Sequence, residues 1–184
     1  MPKLQVGHIS LGFIGPVHKK AAAMLDDIAE NHAIASTTES KREAAQAEGL
    51  KAYATGEELI ADPEVDVVHI AGPDEYHKEL SIAAMDAGKK VVVCEKPLTI
   101  TADDGLEVLQ RAQKFEAEGG VFLTNFNYMG HALPRAAREL HANGYFGNDN
   151  YILLGRYPQD WLMVNESLTI EEKLEHLKPD VWNW

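Results

Sequence analysis

Short apolar runs alternate with segments of helical periodicity along most of the chain. Strands that are covered on both faces of a parallel sheet read as nearly continuous apolar runs. Such runs predict strands at 4–9, 33–37, 65–71, 91–94 and 121–125. Periodicity and end signals predict helices that begin at Pro16 and that span 41–48, 76–87, 102–118 and 134–142. This alternation predicts an α/β fold, a doubly wound parallel sheet.

Composition and charge then narrow the class of function. The 184 residues are 45% hydrophobic and 25% charged, as in ordinary globular proteins. A net charge of −12 argues against binding to nucleic acid or to an anionic membrane. The single cysteine, Cys94, allows no internal disulfide and favours the cytoplasm. We expect no signal peptide, no membrane span and, for lack of metal-ligand spacing, no metal.

A glycine turn, Gly12-Phe13-Ile14-Gly15, follows the first predicted strand and precedes the helix at Pro16. This context is typical of dinucleotide binding, with Gly12 open to a pyrophosphate and Gly15 allowing close helix–strand packing. The helix N-terminus would present N–H groups to the phosphates. Ser10 stands at the first position of G-x-G-x-x-G, so the fingerprint is incomplete and a plain tight turn is the alternative.

The end of the second predicted strand bears on the form of the cofactor. An acid there would bind the ribose 2′-hydroxyl of NAD, whereas a nearby arginine suits the 2′-phosphate of NADP. Thr37 and Thr38 occupy this place, and Lys41 and Arg42 follow. The pattern slightly favours NADP, while Glu39 leaves NAD open. The two cations are alternatively a solvated first helical turn.

The apolar run at 91–94 ends abruptly in Glu95-Lys96-Pro97. In open α/β sheets, ligands bind beyond the carboxyl ends of the strands. Desolvation lowers the pKa of a lysine, so a lysine at this edge is a candidate for proton transfer. The alternative is a strand that simply exits to solvent.

Four motifs occur in a fixed order along the chain. They are Gly12-Phe13-Ile14-Gly15 with His18, Val67-Val68-His69-Ile70-Ala71-Gly72-Pro73 with His77, Cys94-Glu95-Lys96-Pro97, and Asn125-Phe126-Asn127-Tyr128. Together they resemble the glucose–fructose oxidoreductase and inositol dehydrogenase family (Gfo/Idh/MocA). The resemblance implies an N-terminal Rossmann domain that binds NAD or NADP and a second α/β domain. It also implies oxidation or reduction of a sugar, inositol or related polyol.

The resemblance also implies roles for individual residues. Lys96 resembles the catalytic lysine, which assists proton transfer at the reacting oxygen, and Tyr128 is expected on the substrate side. Adding the residues at the second strand, we expect the cofactor to contact Gly12, Phe13, Ile14, Gly15, Thr37, Thr38, Arg42, Ala71, Gly72, Pro73, His77, Glu95, Lys96 and Asn125. Ser10, Gly72, Asp74 and Met129 depart from the family pattern. The charge of Asp74 would alter cofactor affinity, or alternatively Asp74 simply caps the helix predicted at 76–87.

The composition of the sequence changes from Tyr151, after which Trp and Glu become frequent. We predict an NAD(P)-binding Rossmann domain over 1–147 and the beginning of an incomplete second α/β domain over 148–184. The latter includes a predicted strand at 151–157 that would expose an apolar edge and favour self-association. The resemblance places the remaining catalytic residues, an Asp and a His, beyond Trp184. It also implies a homo-oligomer for a full-length protein.

Three functions remain open from the sequence. The first is a cytoplasmic NAD(P)-dependent oxidoreductase that moves a hydride between nicotinamide and a small sugar or polyol, with Lys96 exchanging the hydroxyl proton. The second is a truncated or degenerate dinucleotide-binding module without turnover, which the serine at position 10 favours. The third, an interaction module without a ligand, leaves Glu95-Lys96-Pro97 unexplained. We favour the first.

Overall fold

A six-stranded parallel sheet forms the centre of the computed structural model, which describes residues 2–147. Its strands are β1 Leu4–Ile9, β2 Ala29–Ala35, β3 Lys51–Tyr53, β4 Val67–Ile70, β5 Val91–Glu95 and β6 Val121–Asn125. Their spatial order is β3-β2-β1-β4-β5-β6, and each neighbouring pair is parallel. This is the order of a doubly wound sheet. Successive strands are added towards one edge up to β3 and towards the other edge from β4, so the strand order reverses between β1 and β4. The predicted fold class is therefore confirmed.

A helix follows each of the six strands. The helices are α1 Gly15–Ala23, α2 Glu39–Ala47, α3 Gly56–Ala61, α4 His77–Asp86, α5 Ala102–Ala117 and α6 Ala132–Ala142, with 3-10 turns at Asp74–Tyr76 and Asn127–Gly130. Among residues 2–147, none of the helices combines the length and the apolar character that a membrane crossing requires.

The core lies where the central strands meet the helices. Val68 and Val92 are fully buried in neighbouring strands, and Val108 and Phe115 of α5 pack in the same cluster. β-Branched side chains suit the pleated surface of a strand. Their near-continuous burial on β4 and β5 explains why these strands were readable from the sequence.

Local signals explain where several helices begin and end. The Thr55 side chain accepts a hydrogen bond from the backbone of Glu58, and the Glu58 side chain accepts one from Thr55, which forms a capping box at α3. Thr101 caps α5 through the backbone N–H of Asp104. Gly49 and Gly88 follow α2 and α4 with φ of 83° and 69°, which are the left-handed positions expected after a helix.

Three parts of the predicted pattern needed correction. β2 begins at Ala29 and ends at Ala35, so Thr37, the last residue of the predicted strand, lies with Thr38 in the loop that follows β2. The polar residues 30–32 interrupt the apolar pattern and hide the start of this strand. β3 and α3 were missed, because three and six residues are too few to display a period.

The chain divides after Asn127 into two compact units, Met1–Asn127 and Tyr128–Trp184. The first unit contains the sheet and α1 to α5. In the second unit, α6 belongs to the described residues. The strand predicted at 151–157 and the division into 1–147 and 148–184 involve residues outside the described part, so both stay predictions.

Candidate functional site

The carboxyl ends of the strands meet at one edge of the sheet. The loops after β1 and β4 flank the point at which the strand order reverses, and the loop after β5 lies next along the sheet. A crevice at such a point is the usual ligand site of open α/β sheets. The segments 10–14, 71–73 and 96–97 follow these three strands, so the sheet brings the predicted glycine turn and Lys96 to the same edge.

Ser10 adopts the backbone conformation that usually requires glycine. Its φ is 72°, in the left-handed region that disfavours residues with a Cβ atom. The backbone N–H of Ser10 donates to Ala35 at 2.9 Å, and its hydroxyl accepts from the N–H of Gly12 at 3.3 Å. The turn therefore retains its shape although its first position is not glycine.

Gly12 and Gly15 differ in what surrounds them. A Cβ atom on residue 15 would overlap the carbonyl oxygen of Ser10, whereas one on residue 12 would meet only the Ser10 hydroxyl oxygen, at 3.5 Å. Gly12 is exposed and Phe13 is 98% exposed. Ile14 precedes α1 without a side-chain cap. The N-terminal end of α1 thus presents an open surface suited to an anion.

The two cations after β2 bind backbone oxygens. Lys41 Nζ donates to the carbonyl of Leu11 at 2.8 Å, and Arg42 Nη1 donates to the carbonyl of Ser36 at 2.6 Å. Both side chains are half-buried. Both side chains are therefore held by the protein, and the choice between a cofactor contact and a helical turn stays open. Thr37 and Thr38 are exposed beside these cations.

His77 joins the loops after β4 and β5. Its side chain is buried, with Nδ1 2.6 Å from the carbonyl oxygen of Pro97 and Nε2 3.0 Å from that of Gly72. The N–H of the ring donates to one or the other carbonyl, depending on the tautomer. Between these carbonyls, His77 supports the loops that carry Ala71 and Lys96.

Glu95 and Lys96 have opposite environments although they are adjacent. Glu95 is buried, and its Oε1 atom accepts hydrogen bonds from His18 Nε2 at 2.6 Å and from Asn125 Nδ2 at 2.5 Å. Lys96 is exposed, and the peptide bond between Lys96 and Pro97 is cis. The carboxylate of Glu95 thus holds the loop through its hydrogen bonds to His18 and Asn125. Because Lys96 is exposed, the desolvation on which the sequence argument for this lysine rested is not found.

Sequence reasoning missed a cluster of histidines behind Glu95. The ring of His69 lies 3.9 Å from that of His18 and 5.9 Å from that of His8, measured between centroids. Burial and, less strongly, the nearby His18 and His8 rings lower the pKa of His69 to about 3. Burial also lowers the pKa of His8, whose Nε2 donates to Asn31 Oδ1 at 2.7 Å. Neutral His69 is therefore expected at physiological pH.

The other predicted site residues lie as follows. Gly72 and Ala71 are half-buried and Pro73 is exposed after β4. Tyr128 belongs to the second unit, where its ring lies 5.5 Å from that of His131, and its role beside the substrate stays a prediction. Cys94 is buried in the core, and burial raises the pKa of its thiol to about 12, which makes it a core residue and a poor nucleophile.

Comparison with known proteins places this geometry in a family. The sequence model described as "Oxidoreductase family, NAD-binding Rossmann fold", that of Gfo/Idh/MocA proteins, matches residues 4–121. The resemblance drawn from the four motifs is thereby confirmed.

Individual relatives agree with this match. Myo-inositol 2-dehydrogenase of Thermotoga maritima is 34% identical over 175 residues, which cover 91% of this chain and 51% of the relative. The 1,5-anhydro-D-fructose reductase of Ensifer adhaerens is 41% identical over 98 residues, covering 53% and 28%. A crystal structure of a probable dehydrogenase from Thermotoga maritima superposes with a TM-score of 0.67 at 35% identity, covering 77% of this chain and 41% of that chain. The chain spans about half or less of each.

Proposed function

Because the chain belongs to the oxidoreductase family with an NAD-binding Rossmann fold, we propose that it forms the cofactor-binding part of a sugar or polyol dehydrogenase. The convergence of the glycine turn, the loop after β4 and Lys96 at one edge of the sheet carries this proposal. The names of two relatives specify an inositol and an anhydro sugar. A cyclic polyol or a sugar is therefore the proposed class of substrate.

The shape of the glycine turn fits a dinucleotide. Gly12 leaves open space at the start of α1, and the close approach of Gly15 to Ser10 brings the helix end to the edge of the sheet. In the proposed complex, the pyrophosphate contacts the backbone of residues 12–15 at the positive end of α1. Ala71, Gly72 and Pro73 border the nicotinamide end, and Asn125 lies beyond it at the end of β6.

Thr37, Thr38 and Arg42 would contact the adenosine ribose. The family is NAD-binding, and the finer choice between NAD and NADP rests on this loop. Arg42 uses one guanidinium nitrogen to hold the carbonyl of Ser36, which directly precedes the two threonines in the sequence. Since a guanidinium fork has further donors, we retain a slight preference for NADP.

Lys96 is the proposed proton-transfer group. When bound, the nicotinamide supplies or accepts the hydride at its ring. Lys96 then takes the proton from the substrate hydroxyl during oxidation, or returns it to the carbonyl oxygen during reduction. Glu95 and His77 do not touch the substrate in this account. They hold the loop through the hydrogen bonds to His18, Asn125 and the Gly72 and Pro97 carbonyls.

Location and assembly complete the proposal. A single cysteine that is buried and unreactive fits a reducing compartment, so we place the enzyme in the cytoplasm. Its charge of −12 fits a small-molecule enzyme without nucleic-acid partners. The family resemblance and the apolar pattern at 151–157 support a homo-oligomer.

A turnover assay tests the proposed activity. The purified protein is mixed with NAD or NADP and a panel of inositols, anhydro sugars and aldoses, and nicotinamide reduction is followed by absorbance. Because the resemblance places the remaining catalytic residues beyond Trp184, we expect turnover with at least one cyclic polyol or sugar from a protein that also contains the second domain. In that protein, Lys96→Ala should decrease kcat by about 100-fold or more. Glu75→Gln, an exposed change nearby, serves as the control. Cofactor binding without any turnover would instead favour a dinucleotide-binding module.

A further inference from the structure

One face of the sheet carries a row of polar side chains at the carboxyl ends of neighbouring strands. In the parallel register, His8 of β1 pairs with His69 of β4. His69 pairs in turn with Val93, two residues before Glu95, and Glu95 pairs with Asn125 of β6. Because alternate residues of a strand point to the same face, these polar side chains share one face of the sheet.

Helix α1 adds His18 to this row. Its Nε2 atom lies 2.6 Å from Glu95 Oε1, and its ring lies against that of His69. One ligand atom each from His18, His69 and Glu95 lies within 4.8 Å of the other two. Two imidazoles and one carboxylate from three separate elements therefore converge on a single point.

The burial of His69 without a hydrogen-bond partner in the described part of the chain is the unexplained feature of this cluster. Only 5% of the residue is exposed, and within the described residues 2–147 neither of its ring nitrogens has a hydrogen-bond partner. A buried polar group without a partner is costly, so it usually indicates a missing water, ion or ligand. The unpartnered ring adjoins His18, whose side chain is 22% exposed and marks the entry side.

We propose that His18, His69 and Glu95 bind a divalent transition-metal ion, with Zn²⁺ the best match. Neutral imidazole nitrogens and a carboxylate oxygen are preferred ligands of Zn²⁺, and three protein ligands leave a fourth position for water. Tetrahedral ligands about 2.1 Å from zinc lie about 3.4 Å apart, so small side-chain rotations close the site. When the ion binds, His18 Nε2 exchanges the hydrogen bond that it donates to Glu95 for a bond to the metal, with the N–H of the ring on Nδ1.

An ion at this position would connect helix α1 to the loop after β5. His18 lies on α1, the helix that begins at the glycine turn, and Glu95 directly precedes Lys96. A bound ion would therefore fix the phosphate-binding helix to the loop of the proposed proton-transfer lysine. This site is independent of the proposed reaction, which needs no metal.

A second cluster, with one histidine and two carboxylates, serves as an internal comparison. His32, Asp62 and Glu64 also bring ligand atoms together, but the ammonium group of Lys51 contacts both carboxylates there. A cation already neutralises these acids, and Glu64 is exposed. We therefore assign the metal to the first cluster and use the second as the control.

Metal binding by the 184-residue chain, freed of tags and stripped with EDTA, tests the proposal. Calorimetric titration with Zn²⁺ measures affinity and stoichiometry, and the visible spectrum of bound Co²⁺ reports the ligand geometry. We expect one equivalent of Zn²⁺ to bind and to raise the Tm. His69→Val and His18→Gln should each weaken binding at least about tenfold, while His32→Gln should not.

The outcomes are distinct even if one variant folds poorly. His18→Gln alters a partly exposed helix position and therefore tests the site if the buried His69→Val variant fails to fold. The proposal is overturned if the chain binds no Zn²⁺, if His18→Gln binds as tightly as the wild type, or if binding is lost in His32→Gln. Because the readouts are binding, Co²⁺ absorption and Tm, they do not depend on the proposed dehydrogenase activity.

Discussion

The carbonyl oxygen of Ser10 occupies the space that a Cβ atom on Gly15 would need. This contact joins the end of β1 to the first residue of α1, and it brings the helix N-terminus to the edge where the strand order reverses. The glycine turn is thus shaped for close packing at residue 15 and for open access at residue 12.

Gly15→Ala is expected to destabilise the protein by about 3 kcal/mol, because the added methyl group meets backbone atoms that cannot rotate away. Urea unfolding followed by circular dichroism measures the change. The control is Gly12→Ala, where the new Cβ has only the Ser10 hydroxyl oxygen nearby, at 3.5 Å. That variant should unfold close to the wild type. Equal losses in the two variants would contradict this account of the turn.

Ser10→Gly is expected to stabilise the protein by roughly 0.5–1 kcal/mol. The serine holds φ at 72°, and glycine removes the steric cost of this left-handed conformation. The gain is limited by loss of the 3.3 Å hydrogen bond to Gly12. The urea midpoint should rise with an unchanged m-value. A lower midpoint would mean that the hydroxyl contributes more than the backbone strain removes.

His77→Ala should lower stability by about 3 kcal/mol, since it leaves a cavity and removes the hydrogen bond between the ring and the Gly72 and Pro97 loops. If His77 positions the two loops through its hydrogen bond, His77→Gln should regain part of the stability lost in His77→Ala, because its amide retains a donor. Tyr76→Ala, at an exposed neighbour, provides the comparison and should change stability by less than about 0.5 kcal/mol. No recovery with glutamine would leave only a packing role.

Asp62 should make stability fall in acid. Burial alone would raise the pKa of Asp62, but hydrogen bonds from the Glu64 backbone, Tyr53 and Lys51 outweigh it and lower the pKa from 3.8 to about 2. The folded state therefore favours the ionised form, and the stabilisation is present above pH 3.8 and is lost as the pH falls towards 2. The loss should reach about 1 kcal/mol at pH 3.

Urea titrations at pH 5 and pH 3 measure this loss. Asp62→Asn should be less stable at pH 5 and should lose about 1 kcal/mol less than the wild type between the two pH values. Asp27→Asn, at an exposed position, should behave like the wild type. The same pH slope in Asp62→Asn and the wild type would exclude Asp62 as the source.

The fold was largely predictable because its central strands are buried on both faces. The runs at β4 and β5 are almost wholly apolar, and Gly49 and Gly88 mark helix ends as expected. The doubly wound parallel arrangement was predicted from the βα alternation, whereas the order of the strands was not predicted. β3 and α3 escaped, since elements of three and six residues carry little pattern.

The candidate site was predictable only where contacts are local in sequence. The glycine turn and Lys96 are visible as motifs, but the meeting of His8, His18 and His69 with Glu95 depends on strand register and helix docking. Single histidines in an apolar strand carry no signal of such convergence. His77 likewise gains its role from two carbonyls that lie far apart in sequence.

Cofactor binding tests the central claim most directly. The 184-residue chain is titrated with NADH and NADPH, and nicotinamide fluorescence and tryptophan quenching are followed. We expect saturable binding that Gly12→Asp weakens at least about tenfold, because a carboxylate would face the pyrophosphate, and that Lys96→Ala leaves nearly unchanged. The tighter cofactor decides the role of Arg42. Absence of saturable binding, or binding that Gly12→Asp does not weaken, would contradict a dinucleotide site at this edge of the sheet.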